Sequence, residues 1–500
     1  VSAPTDLPTS GAAVGSAAEV LARCAELDLY SSHPEHLERV YLSPEHAAVN
    51  RVVARWMTRA GLAPRQDAAG NQYGRREGRE PGLPALLLGS HLDTVPDAGS
   101  YDGMLGVLMG IAVAERLGDR VDDLPFALEV VGFSDEEGTR FGKALLGSCA
   151  AAGTWDPAWW DLCDAGGMTL RTAFEEFGLD PRAVGTAARR PDELVGYLEA
   201  HIEQGPYLEE ADASLGYVTT IAGARRFVLE VEGEARHAGG TPYDRRKDAM
   251  VGAAECITAI ERMVRPSGCI ATTGRIEARP GAVNVIAGHV EVSLDLRAPT
   301  DAARDAMWED LEAELQRLCA ARGLGLRVTE THRAPAMPCA PWLTDAVVSG
   351  IVGTGDTTPM GLWSRAGHDG MAVGAVTDVA MLFVRCHDGV SHHPDEDVRE
   401  IKNATGTTVN DVVLALAGGA LRSYLQDRGE LPEESLLATV PVSVHSSTRR
   451  ASGANKVSAL FTKLATDLDD PLERLAELSE RNKHAKDHHN AISADSLQDW

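Results

Sequence analysis

One stretch does most to limit the folds open to this chain. An apolar run, Ala85-Leu86-Leu87-Leu88, stops at Gly89-Ser90 and gives way to His91-Leu92-Asp93. A short apolar run bounded by turn-formers reads as a strand buried on both faces, the habit of parallel sheets covered by helices. In open α/β sheets ligands bind where loops leave the carboxyl ends of strands, so His91 is placed to face such a crevice. Asp93, two residues on, shares its side of an extended segment and can hold the imidazole's other nitrogen, as metal-binding histidines require. A Pro/Gly-rich loop then leads to Asp102-Gly103 and an apolar, helix-like run from Met104 to Leu117. Taken alone, the stretch also suits a polar turn with His91 merely exposed.

The same pattern returns further along the chain. A second buried strand, Phe126 to Val131, runs into Gly132-Phe133-Ser134-Asp135-Glu136-Glu137-Gly138. Two adjacent glutamates at a strand end are costly to bury without partners. A dinuclear metal site supplies the partners and uses the two differently, one as a ligand and one as a base toward water. The alternative is a solvated acidic turn. Next comes Glu199-Ala200-His201-Ile202-Glu203-Gln204-Gly205-Pro206, a histidine among carboxylates closed by a Gly-Pro break. A later strand, Val379 to Val384, ends in Arg385-Cys386-His387-Asp388-Gly389-Val390-Ser391-His392-His393-Pro394. Repeated delivery of histidines and carboxylates at strand ends is hard to explain by surface chance.

Between these segments the pattern changes. From about residue 216, Phe227, Leu229 and Val231 alternate with Val228, Glu230 and Glu232, a strand signal. Arg236-His237-Ala238-Gly239-Gly240 is a flexible loop, and Thr241-Pro242 reads as an N-cap and first helical residue of a helix through Lys247 and Met263. Strands at 269–276 and 289–296, a helix at 301–322 and a strand at 325–331 complete an inserted α/β domain. The expected organisation is therefore an α/β domain in two parts, 1–215 and 333–425, interrupted by a small α/β domain at 216–332. A net charge of −27 argues against a nucleic-acid partner. Eight cysteines without a paired spacing suit reduced thiols. No apolar window of about 18 residues predicts a membrane span, and the first residues show no signal-peptide pattern, so a cytoplasmic protein is expected. His33 and His36 read as surface residues.

Taken in order, these motifs over residues 15–397 resemble the hydantoinase/carbamoylase family of di-metal amidases, which includes allantoate amidohydrolases and N-carbamoyl-L-amino-acid amidohydrolases. The resemblance implies an aminopeptidase/carboxypeptidase-like α/β catalytic domain with an α/β lid that forms a homodimer contact. It implies two divalent cations, zinc or manganese with nickel or cobalt also suitable, and a small ureido or N-carbamoyl amino acid as substrate. Carried over by motif, His91 would bind one metal, Asp102 would bridge both, and His201 would complete the first set. Glu137 and His392 would hold the second, with Asp93 supporting His91. Glu136 would be the general base, and His237 would reach the partner's site to stabilise the oxyanion. Gln204, Asn284, Arg297, Gly367 and His368 would contact substrate, the Arg297 fork suiting a carboxylate. His393 is the nearest rival to His392, while His387 looks incidental. An aminoacylase or peptidase acting on N-acyl amino acids or dipeptides is the enzymatic alternative, and an inactive metal-binding chimera the other.

Three positions depart from the family pattern. Arg365 stands in Ser364-Arg365-Ala366-Gly367-His368-Asp369 where glycine is usual, Ala287 replaces a proline and Gly240 a threonine. Arg365 puts the specificity in question, since a long cation there alters substrate choice or blocks the site. From about 398 to 500 the chain instead resembles an internal fragment of bacterial wax ester synthase/diacylglycerol acyltransferases, without that family's His-His-x-x-x-Asp-Gly motif. A helix at 408–425 is expected to pack Val409, Val412, Val413 and Leu416 on the sheet, and residues 430–500, lacking their parent fold, are expected to pack poorly.

Overall fold

The computed structural model describes residues 15–354 and 356–398, two later strands, and the single residues 435, 467 and 477. The chain divides into two compact units, Ala12–Val398 and a second made of Val1–Gly11 with Arg399–Trp500.

In the first unit the strands run, in chain order, β1 (Ala63–Gln66), β2 (Gln72–Arg76), β3 (Ala85–His91), β4 (Ala127–Phe133), β5 (Leu194–Ile202) and β6 (Leu215–Ile221). Then come β7 (Gly223–Glu232), β8 (Ile270–Thr272), β9 (Ile276–Arg279), β10 (His289–Ala298) and β11 (Gly325–Ala334). The last three are β12 (Met337–Pro338), β13 (Met360–Ser364) and β14 (Val379–Val384). Nine of them form one sheet in the order β1-β2-β4-β3-β5-β14-β6-β12, with β13 beside β6. At its centre β3 lies parallel to β4 and β5, and β5 parallel to β14. Four carboxyl ends therefore open on one rim. Register sharpens this: His91 is level with Phe133, Gly89 with Glu199, and His201 with Phe383.

Both faces of these central strands are covered, as their unbroken apolar runs predict. Leu88 and Val130 pack under the helices Ala17–Leu27, Pro44–Arg59 and Met104–Leu117, whereas Leu87, Val131 and Phe133 join Tyr73 and Tyr197 on the other side. Ser16 and Ser43 cap the first two helices by accepting main-chain N–H groups, each worth about 1 kcal/mol. The helix Met104–Leu117 follows directly from Gly103 and is buried along most of its length, which fixes the Asp102 turn against β3.

The inserted segment builds a second, antiparallel sheet in the order β11-β7-β10-β8, with β9 beside β10. Phe227, Leu229 and Val231 of β7 and Val290, Val292, Leu294 and Leu296 of β10 pack against the helices Ala249–Val264 and Asp301–Ala321, where Trp308 stacks on Phe227. Three expectations are corrected here. The lid boundary at 216 falls inside β6, which pairs with β13 and β14 in the larger sheet; the second sheet begins only at Gly223. The helix expected from Thr241-Pro242 starts instead at Ala249, because Asp248 accepts the N–H groups of Met250 and Val251, while the Thr241 hydroxyl donates to His237 O (2.9 Å) and closes the His237 loop. The strand expected over 269–276 is split into β8 and β9, Ser293 Oγ taking the Arg275 N–H between them.

All eight cysteines are free thiols. Among the described residues no helix is long and apolar enough to cross a membrane. In the second unit, Leu437–Ser443 and Val457–Lys463 form an antiparallel pair. The helix expected at 408–425, and most of the segment expected to pack poorly, lie outside the described residues.

Candidate metal centre

At the shared rim, the two oxygens of one buried carboxylate face different partners. Asp102 Oδ1 is 3.0 Å from His201 Nε2 and 3.6 Å from His91 Nε2. Its Oδ2 is 3.1 Å from His392 Nε2, which lies 3.4 Å from Glu137 Oε1. Nitrogen and oxygen donors thus gather into His91–Asp102–His201 and Asp102–Glu137–His392 groups that share the Asp102 carboxylate. Residues spaced over 300 positions meet here because β3, β4, β5 and β14 are parallel neighbours.

Each donor is aimed by local structure. His91 ends β3, and its Nδ1–H donates to Asp93 O at 3.0 Å, so Nε2 keeps its lone pair for the cluster. His201 does the same through Ile202 O at 2.9 Å. Asp93 Oδ1 and Oδ2 accept the N–H groups of Glu136 (3.0 Å) and Glu137 (3.1 Å), so one carboxylate ties the β3 loop to the β4 loop. His392 takes a left-handed backbone (φ 55°) and, though half-exposed, brings its Nε2 to Asp102 and Glu137, whereas His393 pairs with Asp395. His387 pairs with Glu209 at the surface.

The electrostatics follow from burial and proximity. Burial opposes protonation of His91 and His201, yet Asp102 and Asp93 outweigh it at His91, and Asp102 and Glu199 at His201, so both imidazoles are held above their ordinary range. The Asp102 hydrogen bond raises His392 to about 9. Burial, then the Asp102 charge, lifts Glu137 to about 7, and burial holds Glu136 well above the usual carboxylate range. This field favours positive charge. Imidazole lone pairs fixed by main-chain carbonyls, with carboxylates crowded between them, are the donor set that divalent cations take.

Several supporting residues were not legible in the sequence. Glu396 Oε1 accepts the N–H groups of Tyr101 (2.7 Å) and Asp102 (3.1 Å), pinning the shared carboxylate from below. Ser391 Oγ donates to Asp102 Oδ2 at 2.9 Å. Arg39 is fully buried, its Nε donating to Leu92 O (2.7 Å) between His91 and Asp93. His46 Nε2 and Asn71 Oδ1 hold the Oγ and N–H of Ser134, two residues before Glu136. Only Glu396, four residues after His392 in an acidic run, carried a signal that could have been weighed.

The expected substrate groups are placed unevenly. Gln204 is at the cluster, its Nε2 donating to Asp102 Oδ2 at 2.9 Å. His368 is buried behind His201, ring centroids 4.5 Å apart, with its Nε2 2.7 Å from Ser364 Oγ; its ring braces His201 rather than facing open space. Gly367 is exposed on the same loop. Arg297 spends its fork on Asp295 (2.9 and 3.2 Å) and donates to Arg365 O at 2.6 Å. His237 and Asn284 are exposed side by side on the lid, where Ala238 N–H donates to Asn284 O at 2.9 Å, and neither contacts the cluster of its own chain.

Residues 87–413 match the family described as Peptidase family M20/M25/M40, and residues 453–500 match the WS/DGAT C-terminal domain. The first match runs into the segment that the sequence reading gave to the tail. The chain is 38% identical over 359 residues to an N-carbamoyl-L-amino acid amidohydrolase of Geobacillus stearothermophilus, covering 72% of this chain and 88% of that one. It is 37% identical over 412 residues to an allantoate deiminase of Arabidopsis thaliana, covering 76% and 78%. The fold matches an amidase of the hydantoinase/carbamoylase family from Burkholderia multivorans with a TM-score of 0.70 at 30% identity, over 76% of this chain and 93% of that one.

Proposed function

The chain belongs to the hydantoinase/carbamoylase amidases of peptidase family M20/M25/M40, and from that premise we propose that it hydrolyses the carbamoyl C–N bond of N-carbamoyl-L-amino acids or of ureido acids such as allantoate. The observation that carries the reading is the division of Asp102 between His91 and His201 on one oxygen and His392 with Glu137 on the other. Those sets would hold two divalent cations, and the mixed nitrogen and oxygen donors suit zinc or manganese, with nickel or cobalt also compatible. When bound, such ions act as Lewis acids toward a carbonyl and acidify water.

The chain's own residues do the rest. Glu136 accepts the proton of the attacking water and, once protonated, passes it to the departing nitrogen. Its buried carboxyl, held above the ordinary range, suits both transfers. Asp93 keeps the Glu136 and Glu137 main chain in place during the exchange. His237, with Asn284 beside it, serves the site of a partner in a homodimer, which accounts for an exposed histidine on a lid loop remote from its own cluster.

The test is product release from allantoate and a panel of N-carbamoyl amino acids after loading with manganese or zinc, with N-acetyl amino acids and dipeptides as comparison. Carbamoyl substrates are expected to turn over fastest. Glu136→Gln should lower kcat by roughly 100- to 10,000-fold while metal content stays unchanged. Equal rates for wild type and Glu136→Gln would overturn the reading, and preference for N-acetyl substrates would redirect it to an aminoacylase.

A further inference from the structure

Arg365, the residue that departs from the family pattern, is the cation best prepared to meet a ligand. Its guanidinium carbon stands over two aromatic rings, 3.9 Å from the centroid of Tyr207 and 4.7 Å from that of Trp363. A guanidinium held against aromatic rings is fixed through its π surface and keeps its N–H donors for other partners. For those donors the structure gives one long contact, Nη1 to Trp363 O at 3.4 Å, and no carboxylate lies within ion-pair distance among the described residues. An arginine held this way has already given up most of its rotamer freedom, so a ligand that meets its edge pays little to order it.

The position of this residue ties it to the proposed centre. Tyr207 follows Gln204, whose amide contacts Asp102, and His368, three residues after Arg365, packs on His201. The main-chain oxygen of Arg365 is held by Arg297 Nη1 at 2.6 Å. Arg297 itself is committed to Asp295, which also pairs with Arg226 at 2.9 Å. Two guanidinium groups thus share the Asp295 carboxylate beside the Arg365 main chain, in a chain whose overall charge is −27. His332, on the adjacent β11, is held below its ordinary range by burial and by the charges of Arg226 and Lys143, an independent sign of local positive potential.

We propose that Arg365 is a specificity residue that binds a second carboxylate of the substrate, so that this enzyme prefers N-carbamoyl dicarboxylic amino acids to those with neutral side chains. The proposal rests on the carbamoyl-hydrolase reading and names its substrate class. A planar guanidinium edge offers two parallel N–H donors, which match the spacing of a carboxylate and discriminate against an amide or methyl group.

The experiment compares kcat/KM for N-carbamoyl-L-aspartate and N-carbamoyl-L-glutamate with that for N-carbamoyl-L-alanine and N-carbamoyl-L-asparagine, in the metal-loaded full chain and in Arg365→Gly and Arg365→Lys. The wild type should favour the dicarboxylic substrates, and Arg365→Gly should lower that preference by roughly 10- to 100-fold, acting chiefly on KM. Arg365→Lys, which keeps the charge but not the planar fork, should restore part of it. Circular dichroism and metal content of each variant separate misfolding from lost recognition. A substrate ratio that is the same in wild type and Arg365→Gly overturns the proposal while leaving the amidase reading intact. No turnover of any N-carbamoyl substrate by the loaded wild type sinks both.

Discussion

Asp93 shows how much can depend on a residue that binds neither metal nor substrate. Its two oxygens accept consecutive N–H groups of Glu136 and Glu137, and its main-chain carbonyl fixes the His91 tautomer. Asparagine at this position offers one acceptor and turns an NH2 toward the other N–H. Asp93→Asn should therefore weaken metal binding or activity by roughly 10- to 100-fold, read by chelator competition and by kcat. His46 permits a different test. It is buried and neutral, and burial lowers its pKa from 6.5 to about 4. Between those values the unfolded chain binds a proton that the native chain does not, so stability rises with pH across the window and is lost as pH falls through it. The slope from this one group is at most about 1.4 kcal/mol per pH unit. Urea midpoints at pH 7.5 and pH 5 should differ less in His46→Gln than in wild type, although the variant is less stable at both.

At the scale of elements, the junction of β3 with the helix Met104–Leu117 sets the centre's dimensions. Gly103 sits at that junction with φ 75°, and a Cβ added there would lie 2.4 Å from the His91 ring. Gly103→Ala should displace the imidazole and abolish high-affinity metal binding, as followed by metal stoichiometry after dialysis. Gly118, at the other end of the same helix, also has positive φ (49°) but meets nothing within 4 Å. Gly118→Ala should cost about 1 kcal/mol in unfolding free energy and leave turnover as it was. The contrast separates backbone strain, present at both glycines, from a clash with a ligand, present at one. Elements also explain where reading by pattern went astray. The stretch Thr241-Pro242 has the residue types of a helix start, but Asp248, whose carboxylate can accept two N–H groups, captures the N-terminus instead.

For the whole molecule, the arrangement of sheets decides which residues can share a site. The lid carries His237 and Asn284 on one exposed strip, next to Val283, which is fully exposed, and Tyr243 at 85% exposure. If His237 serves a partner's site, Glu136→Gln and His237→Ala are each inactive as homodimers but complement when mixed and exchanged. Each mixed dimer then holds one site with an intact Glu136 and an intact His237 from the other chain, so activity should return toward roughly a quarter of wild type. Sedimentation velocity on the same samples tests for the dimer; mixtures that stay inactive despite exchange would show that His237 acts within its own chain, and an active His237→Ala homodimer that it has no part in turnover.

How much of this was legible in the sequence differs by residue. His91, Glu137 and His201 were legible as candidate donors because each sits at or just beyond a strand end, where an apolar run breaks into glycine and charge, while Asp102 and His392 were picked out by their motifs. The alternating faces of β7 and β10 were legible from neighbours in the chain. Arg39, His46 and Asn71 were not, since what they do depends on contacts with residues 53 to 88 positions away, which no local pattern encodes. Local order in the chain thus determined the elements and the donors at their ends. Only the parallel pairing of β3, β4, β5 and β14 decided that those donors meet, because it brings four carboxyl ends to one rim in a register that depends on backbone hydrogen bonds between distant strands. Tertiary packing also decided that the Arg365 guanidinium stands over two rings, for Tyr207 reaches it from more than 150 residues upstream.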